Sequence, residues 1–301
     1  MTSQQTADES AVGLVGYGLL GAALADRLRL AGMDVTVYDI SPQRRDVAQT
    51  IGLTVADTAH RVFAQCSVVL LSLPSSDDVS VVLADLSQHV TMSPESHVAC
   101  QVILDTTTGS PEAAIHHAEQ LQQLGMDYLE MTVAGSSRQL GNGEATVFVA
   151  GRTTMIEKSR PVIQAITSRD FVVGEIGAAA RFKLIHNLIL GLHRAVLAEG
   201  LSLAEALGFD AARTLQILQQ TPAASHVMQA KGLKMATAEY TPEARRSQHH
   251  KDVRLMLNLA ENNSIDLPLT QLHHRLLSEA EAMGLSQLDN SAIIEVFRRS
   301  Q

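Results

Sequence analysis

Lys183 is one of five lysines in a chain of 301 residues, and it stands inside Phe182-Lys-Leu-Ile-His-Asn-Leu-Ile-Leu190, a nearly continuous apolar run. Apolar surroundings disfavour the charged form of an ammonium, which brings a lysine toward the working range of a general acid or base. Asn187 follows at i+4, so on a helix both side chains leave the same face. A lysine and a carboxamide aimed at one point can hold a hydroxyl or carbonyl oxygen and exchange a proton with it. An equally open reading is an amphipathic edge along which Lys183 extends its stem and keeps its charge in water.

A second constellation is built from glycines. A short apolar run, Val12 to Val15, feeds Gly16-x-Gly18-x-x-Gly21, with Leu19 and Leu20 between the last two glycines and a helical pattern directly after. Gly16 permits a tight turn off a strand, Gly18 lets a pyrophosphate approach the backbone, and Gly21 lets the new helix pack close to the sheet. The N–H groups of that helix's first turn then face the phosphates. The next strand, Asp34-Val-Thr-Val-Tyr-Asp39, ends in an acid 18 residues past Gly21. Strand before, helix after and acid beyond are the context a dinucleotide site requires. The competing reading is a strand–turn–helix that uses its glycines only for packing.

Other reactive residue types carry less. His116-His117, His249-His250 and His273-His274 are adjacent pairs, and neighbours on a helix point in different directions. None has a ligand-spaced partner, so the sequence predicts no metal site. No Gly-x-Ser-x-Gly turn points to a serine hydrolase. Asp77-Asp78 opens a helix after Pro74, where acids complement the helix dipole. Cys66 and Cys100 suit neither a disulfide framework nor a zinc site and read as reduced core residues.

The elements that must position these groups are legible as an alternation. Strand patterns at Val35–Asp39, Val68–Leu73, Val102–Asp105, Tyr128–Val133, Ala145–Ala150 and Phe171–Val173 interleave with helices over about Leu19–Ala31 and from Pro111 to Leu124. Ser41-Pro42 supplies an N-cap and a first-turn proline. Such alternation predicts an α/β fold with a mainly parallel, doubly wound sheet. From Ala178 onward no strand pattern occurs. Ala178 to Ala206 reads as one helix of roughly 40 Å, followed by helices near Ala211–Gln219, Ala244–Glu261, Leu269–Met283 and Ser291–Arg299. The expected organisation is a polar tail over 1–10, a dinucleotide-binding domain over 11–174 and an all-helical domain over 175–301. The long helix is too apolar for one exposed face, which suggests burial between domains or subunits.

Composition narrows the class. Hydrophobic residues make up 46% and charged residues 18%, an ordinary globular balance. A net charge of −9 with no basic stripe argues against nucleic acid as a partner. The polar N-terminus contains Asp8 and Glu9, so no signal peptide is expected there. Polar residues His186, Asn187, His193, Arg194 and Glu199 interrupt the most apolar helix, so no membrane span is expected and the chain reads as cytoplasmic.

Taken together these motifs resemble the β-hydroxyacid dehydrogenase family, which includes 3-hydroxyisobutyrate dehydrogenases and tartronate semialdehyde reductases. The resemblance covers nearly the whole chain after residue 10. It rests on the glycine turn through Ala31-Gly32, on Thr132-Val-Ala-Gly-Ser136 continuing to Gly143-Glu-Ala145, on Gly174-x-x-Gly177 with Lys183-x-x-x-Asn187, and on Lys251-Asp252. It implies a Rossmann-type domain followed by a helical one. It also implies hydride transfer between a nicotinamide and a small 3-hydroxy acid or its semialdehyde, with Lys183 as proton donor and acceptor and Asn187 orienting the substrate or the lysine. Leu73, Pro74, Asp78 and Thr108 match cofactor-lining positions, and Lys251 matches a cofactor-contacting lysine. Ala134, Gly135 and Ser136 match the substrate segment. A homodimer or homotetramer is expected.

The chain departs from the family where the substrate would sit. The family's Asp-Ala-Pro-Val-Ser-Gly-Gly is here Glu130-Met-Thr-Val-Ala-Gly-Ser136, so Ala134 lacks a hydroxyl and Ser136 supplies one nearby. Ala244, Arg246 and Gln248 precede Lys251 where relatives tend to be apolar, which points to a more polar substrate or partner contact. Asp39 favours NAD, because a carboxylate accepts hydrogen bonds from ribose hydroxyls and repels a 2′-phosphate. NADP stays open through Arg44 and Arg45, whose default role is a solvated helix start. Two alternatives remain, an imine reductase-like enzyme and a non-catalytic dinucleotide-binding scaffold.

Overall fold

A computed structural model describes residues 11–92, 98–241 and 246–299, with the side chains of 246 and 247 also outside the description. The expected tail over 1–10 and the Arg246 side chain lie outside the described residues. The chain divides into two compact units, Met1–Lys183 and Leu184–Gln301.

The first unit is built on one sheet of eight strands: β1 (Ala11–Val15), β2 (Asp34–Tyr38), β3 (Thr54–Val55), β4 (Val68–Leu71), β5 (Val102–Asp105), β6 (Asp127–Ala134), β7 (Thr146–Ala150) and β8 (Asp170–Gly174). Their order is β3-β2-β1-β4-β5-β6-β7-β8. Neighbours are parallel except β6 and β7, which pair antiparallel, Ala134 facing Thr146 and Glu130 facing Ala150. The central strands are apolar at successive positions because both faces are covered. Leu70, Val102 and Leu104 enter one core cluster with Leu24 and Leu28, while Val69, Leu71 and Ile103 enter another with Phe63, Leu83 and Leu121. The chain reverses its winding direction between β1 and β4, which leaves a crevice at the carboxyl ends of those strands.

Two local outcomes differ from the sequence reading. The Val68 strand ends at Leu71, and the Ser72 N–H turns back to the Val15 carbonyl. Ser41 stands at the N-cap of the Pro42–Thr50 helix, but its hydroxyl donates to Gln43 Oε1 at 2.9 Å and caps nothing.

The helix Ala178–Ala206 is a single 29-residue element that begins in the first unit and continues in the second. The second unit adds helices Ala211–Leu218, His226–Thr237, Arg246–Asn262 and Pro268–Ala282. A 3-10 turn at Asn290–Ile293 then leads into the helix Ile294–Arg298. Leu197, Leu201, Leu215, Met235, Val253, Met256, Leu277 and Ile294 form its core. Among the described residues this unit contains no strand, and no helix is long and apolar enough to cross a membrane.

Candidate active site

The glycine turn is set by backbone crowding. Gly16 has a φ of +99°, and a Cβ there would lie 2.3 Å from the Ser72 carbonyl oxygen. A Cβ on Gly21 would lie 2.1 Å from the Gly16 carbonyl oxygen. Both positions therefore exclude a side chain on structural grounds alone. Gly18 is different: a Cβ there would meet only Arg44 Nη1, at 3.9 Å. Gly18 is also the N-cap of the helix Leu19–Leu30 and brings no side-chain bond to its first turn. The turn is thus open at the one glycine where a pyrophosphate would approach, with first-turn N–H groups beside it. Leu19 is exposed there, and Leu20 packs against the core.

Asp39 closes this crevice at the end of β2. It is only 3% exposed and accepts hydrogen bonds from the Tyr17 N–H at 2.6 Å and the Ser41 N–H at 2.8 Å. Arg44 Nη1 reaches the same carboxylate at 3.2 Å. Arg45 donates to the Asp39 carbonyl at 2.7 Å and lies over the Tyr38 ring. Both arginines are therefore gathered around the acid and are more than a solvated helix start. The Tyr17 bond ties the glycine turn to the strand end, a structural duty that the spacing of Asp39 did not disclose.

The remaining predicted cofactor positions in the first unit follow β4 and β5. The Leu73 N–H donates to Thr107 Oγ1 at 3.3 Å, Pro74 is exposed, and Thr108 is half-buried. Asp78 accepts the Ser75 hydroxyl at 2.5 Å, in the first turn of the Ser76–Met92 helix. These residues share the carboxyl edge of the parallel strands with Gly16, Gly18 and Asp39.

Ala134, Gly135 and Ser136 leave the same edge at the end of β6. Ala134 joins Phe148, Ala150 and Ala179 in a small apolar cluster. The Ser136 hydroxyl accepts the Gln139 N–H at 3.2 Å, while Gln139 Oε1 accepts the Ser136 N–H at 2.9 Å, a reciprocal capping box. The expected hydroxyl is present, and its first use is to start the helix Ser137–Gly141.

Lys183 and Asn187 are each 7% exposed. In the second unit Asn187 Nδ2 donates to Asp252 Oδ2 at 2.9 Å, and its Oδ1 lies 3.0 Å from His186 Nδ1. Lys251 Nζ lies 3.7 Å from Asp252 Oδ1. Asp252 thus gathers Asn187 and Lys251, two predicted site residues 64 positions apart.

A buried polar cluster in the first unit was absent from the sequence reading. Asp105, Tyr128 and Glu130 border a cavity of about 10 Å³, room for one water, with Ser76, Ser110, His117 and Ala180. The Tyr128 hydroxyl donates to Asp105 Oδ2 at 2.6 Å. Burial raises the Asp105 carboxyl, and it lowers the His117 imidazole, whose Nε2 is 2.8 Å from Ser80 Oγ. Burial also pushes Glu130 up to about 7, against three backbone hydrogen bonds that favour its ionised form. The signal available in the sequence was two acids in otherwise apolar strand patterns, Asp105 and Glu130.

Comparison with known proteins agrees with this geometry. Residues 11–175 match the NAD binding domain of 6-phosphogluconate dehydrogenase, and residues 177–297 match the NAD-binding family of NADP-dependent 3-hydroxyisobutyrate dehydrogenase. The chain belongs to the β-hydroxyacid dehydrogenase family. As a member it is an oxidoreductase that uses a nicotinamide dinucleotide. It is 27% identical over 290 residues to glyoxylate/succinic semialdehyde reductase 1 of Arabidopsis thaliana, covering 96% of this chain and 99% of that protein. It is also 27% identical over 284 residues to 2-hydroxy-3-oxopropionate reductase of Escherichia coli K12, covering 94% and 96%. A crystal structure of 3-hydroxyisobutyrate dehydrogenase from Salmonella typhimurium shares the fold, with a TM-score of 0.84 at 24% identity over 95% of this chain and 99% of that one.

Proposed function

We propose that this protein interconverts a small 3-hydroxy acid and its semialdehyde, with Lys183 carrying the proton. The observation that carries the proposal is the burial of Lys183, the only lysine of the chain in a nearly continuous apolar run, on a helix that presents Asn187 one turn later. Gly16, Gly18, Leu19, Leu20, Gly21, Asp39, Leu73, Pro74, Asp78 and Thr108 would hold the dinucleotide in the first unit, and Lys251 is the cofactor-contacting residue proposed in the second. When bound, the nicotinamide supplies or accepts the hydride. Lys183 donates a proton to the substrate oxygen in reduction and takes it back in oxidation. Asn187, its amide fixed by Asp252, orients that oxygen. Gly135 offers a backbone N–H to the substrate acid group, with Ala134 and Ser136 shaping the segment around it.

NAD is the proposed cofactor, because the Asp39 carboxylate at the end of β2 can accept hydrogen bonds from ribose hydroxyls and would repel a 2′-phosphate. Arg44 within 3.2 Å of it is the feature that favours NADP instead. The proposed domain division assigns 11–174 to the dinucleotide and 175–301 to substrate and self-association. The apolar side chains Ile185, Ile189, Val196 and Leu203, exposed along the long helix, support a homodimer or homotetramer, which light scattering tests.

Lys183→Ala is the direct test. Turnover on a panel of hydroxy acids and semialdehydes should fall about 10²- to 10⁴-fold, the range a positioned proton carrier supplies, while NADH binding stays within about twofold of the parent. Undiminished turnover would remove Lys183 from the mechanism. A parent that binds NADH and turns over nothing on the panel would favour the scaffold reading.

A further inference from the structure

β6 grips the start of the lysine-bearing helix with two side chains from one face. Glu130 Oε2 accepts the Gly177 N–H at 2.5 Å, and Glu130 Oε1 accepts the Ala180 N–H at 2.9 Å, contacts spanning 47 and 50 residues of sequence. Two positions along the strand, the Thr132 hydroxyl donates to the Ala179 carbonyl at 3.3 Å. That carbonyl is the one the α-helical ladder assigns to the Lys183 N–H. Glu130 and Thr132 are 2% and 1% exposed, so bulk water does not compete for these bonds.

Both residues depart from the family segment, which carries Asp and Pro at these positions. Glutamate reaches further than aspartate, and threonine brings a donor that proline lacks. The departures therefore converge on one contact. An ionised carboxylate kept out of water beside a second acid costs stability, and the nearby Asp105 adds to that cost. A carboxylate taking the N–H of the residue just before a helix and the N–H of its third residue fixes the axial position and rotation of that helix at its origin. Lys183 sits one turn downstream of Ala179 and Ala180, where little of that placement is lost.

We propose that Glu130 is a positioning residue for Lys183, and that it works with Thr132 as a clamp on the first turn of the long helix. The proposal rests on the reading of Lys183 as the proton carrier. Displacing a reacting group by about 1 Å costs on the order of 10²-fold in rate, so a loosened clamp acts on kcat while substrate and cofactor contacts stay in place. Protonation of Glu130 weakens the clamp, because it removes the charge that faces two N–H dipoles. The titratable groups that share its cavity are Asp105 from β5, Tyr128 from its own strand and His117 from the Pro111–Gln123 helix, while the helix it holds contributes the Gly177 and Ala180 N–H groups.

The test uses the full-length enzyme with Glu130→Gln, Glu130→Asp and Thr132→Val. Glu130→Gln should lower kcat about tenfold or more with KM and NADH binding within about twofold, and should speed amide exchange at Gly177 to Ala180. The parent's kcat should fall below about pH 7, and that fall should vanish in this variant. Glu130→Asp should recover part of kcat, and Thr132→Val should lose kcat to a smaller extent with the same exchange signature. Unchanged exchange at Gly177 and Ala180 would overturn the clamp itself. Faster exchange with unchanged kcat and pH profile would overturn its role in positioning. Should Glu130→Gln fail to fold, Thr132→Val decides by the same readings. Full turnover by Lys183→Ala would instead strike the proton-carrier reading, and the positioning role would fall with it whatever the exchange data showed.

Discussion

At the scale of single residues, the acids show why chemistry and stability pull in different directions. Glu130 titrates near 7 in the folded protein, against 4.5 for an ordinary glutamate, because burial outweighs its hydrogen bonds. Its folded value is raised, so the stability it contributes is complete below about pH 4.5 and is lost as pH rises through about 7. The difference corresponds to a loss on the order of 3 kcal/mol across that window. Glu130→Gln removes this dependence. Urea titrations at pH 5 and pH 8 should show the parent losing more stability than the variant between the two. A variant whose stability falls as steeply with pH would mean another group carries the effect. Lys183 and Asn187 drew notice in the sequence because a lone lysine in an apolar run is conspicuous, and of the two readings left open the structure has both side chains buried. Glu130 was not, since one acid in a strand pattern reads as an exception until the helix it holds is in view. The Asp252 bond to Asn187 was equally hidden, because 65 residues separate the partners.

At the scale of elements, the sequence was most informative where a pattern was long or a turn was chemically forced. The helix Ala178–Ala206 was read to its ends, and β5 likewise. The helix Ala59–Gln65 and the helix His226–Thr237 escaped, the first for its length and the second because its apolar residues do not repeat on one clear face. The antiparallel placement of β7 escaped as well, since strand direction is fixed by connections and not by composition. The glycine turn yields a prediction at this scale, because its three glycines meet different neighbours. Gly21→Ala drives a methyl group into the Gly16 carbonyl and should lower the melting temperature by several degrees, at a cost of about 1–3 kcal/mol. Gly18→Ala meets nothing closer than 3.9 Å and should melt with the parent, yet weaken NADH binding about tenfold or more. Fluorescence titration with NADH and thermal scans of both variants separate the outcomes. If Gly18→Ala binds NADH normally, the pyrophosphate does not cross that turn.

At the scale of the whole molecule, the two units carry separate cores, and the crevice bordered by the glycine turn and Asp39 belongs to the first unit. A ligand that binds only the folded form at a concentration 100 times its Kd stabilises by about 2.7 kcal/mol. Most of that gain should register as slower amide exchange in the first unit, centred on Val15 to Leu20 and on Asp39 to Arg45. The choice between cofactors is readable in the same experiment. Asp39 is held at the strand end by Tyr17, Ser41 and Arg44, so a 2′-phosphate there would meet a fixed carboxylate charge. NAD at equal concentration should therefore protect these segments more than NADP, and Arg44→Ala should leave NAD protection within about twofold. Asp39→Asn should narrow the gap by removing the charge that repels the phosphate, though it also weakens the tie to Tyr17 and should lower the melting temperature. Stronger protection by NADP, lost in Arg44→Ala, would reverse the assignment and make Arg44 the residue that selects the cofactor.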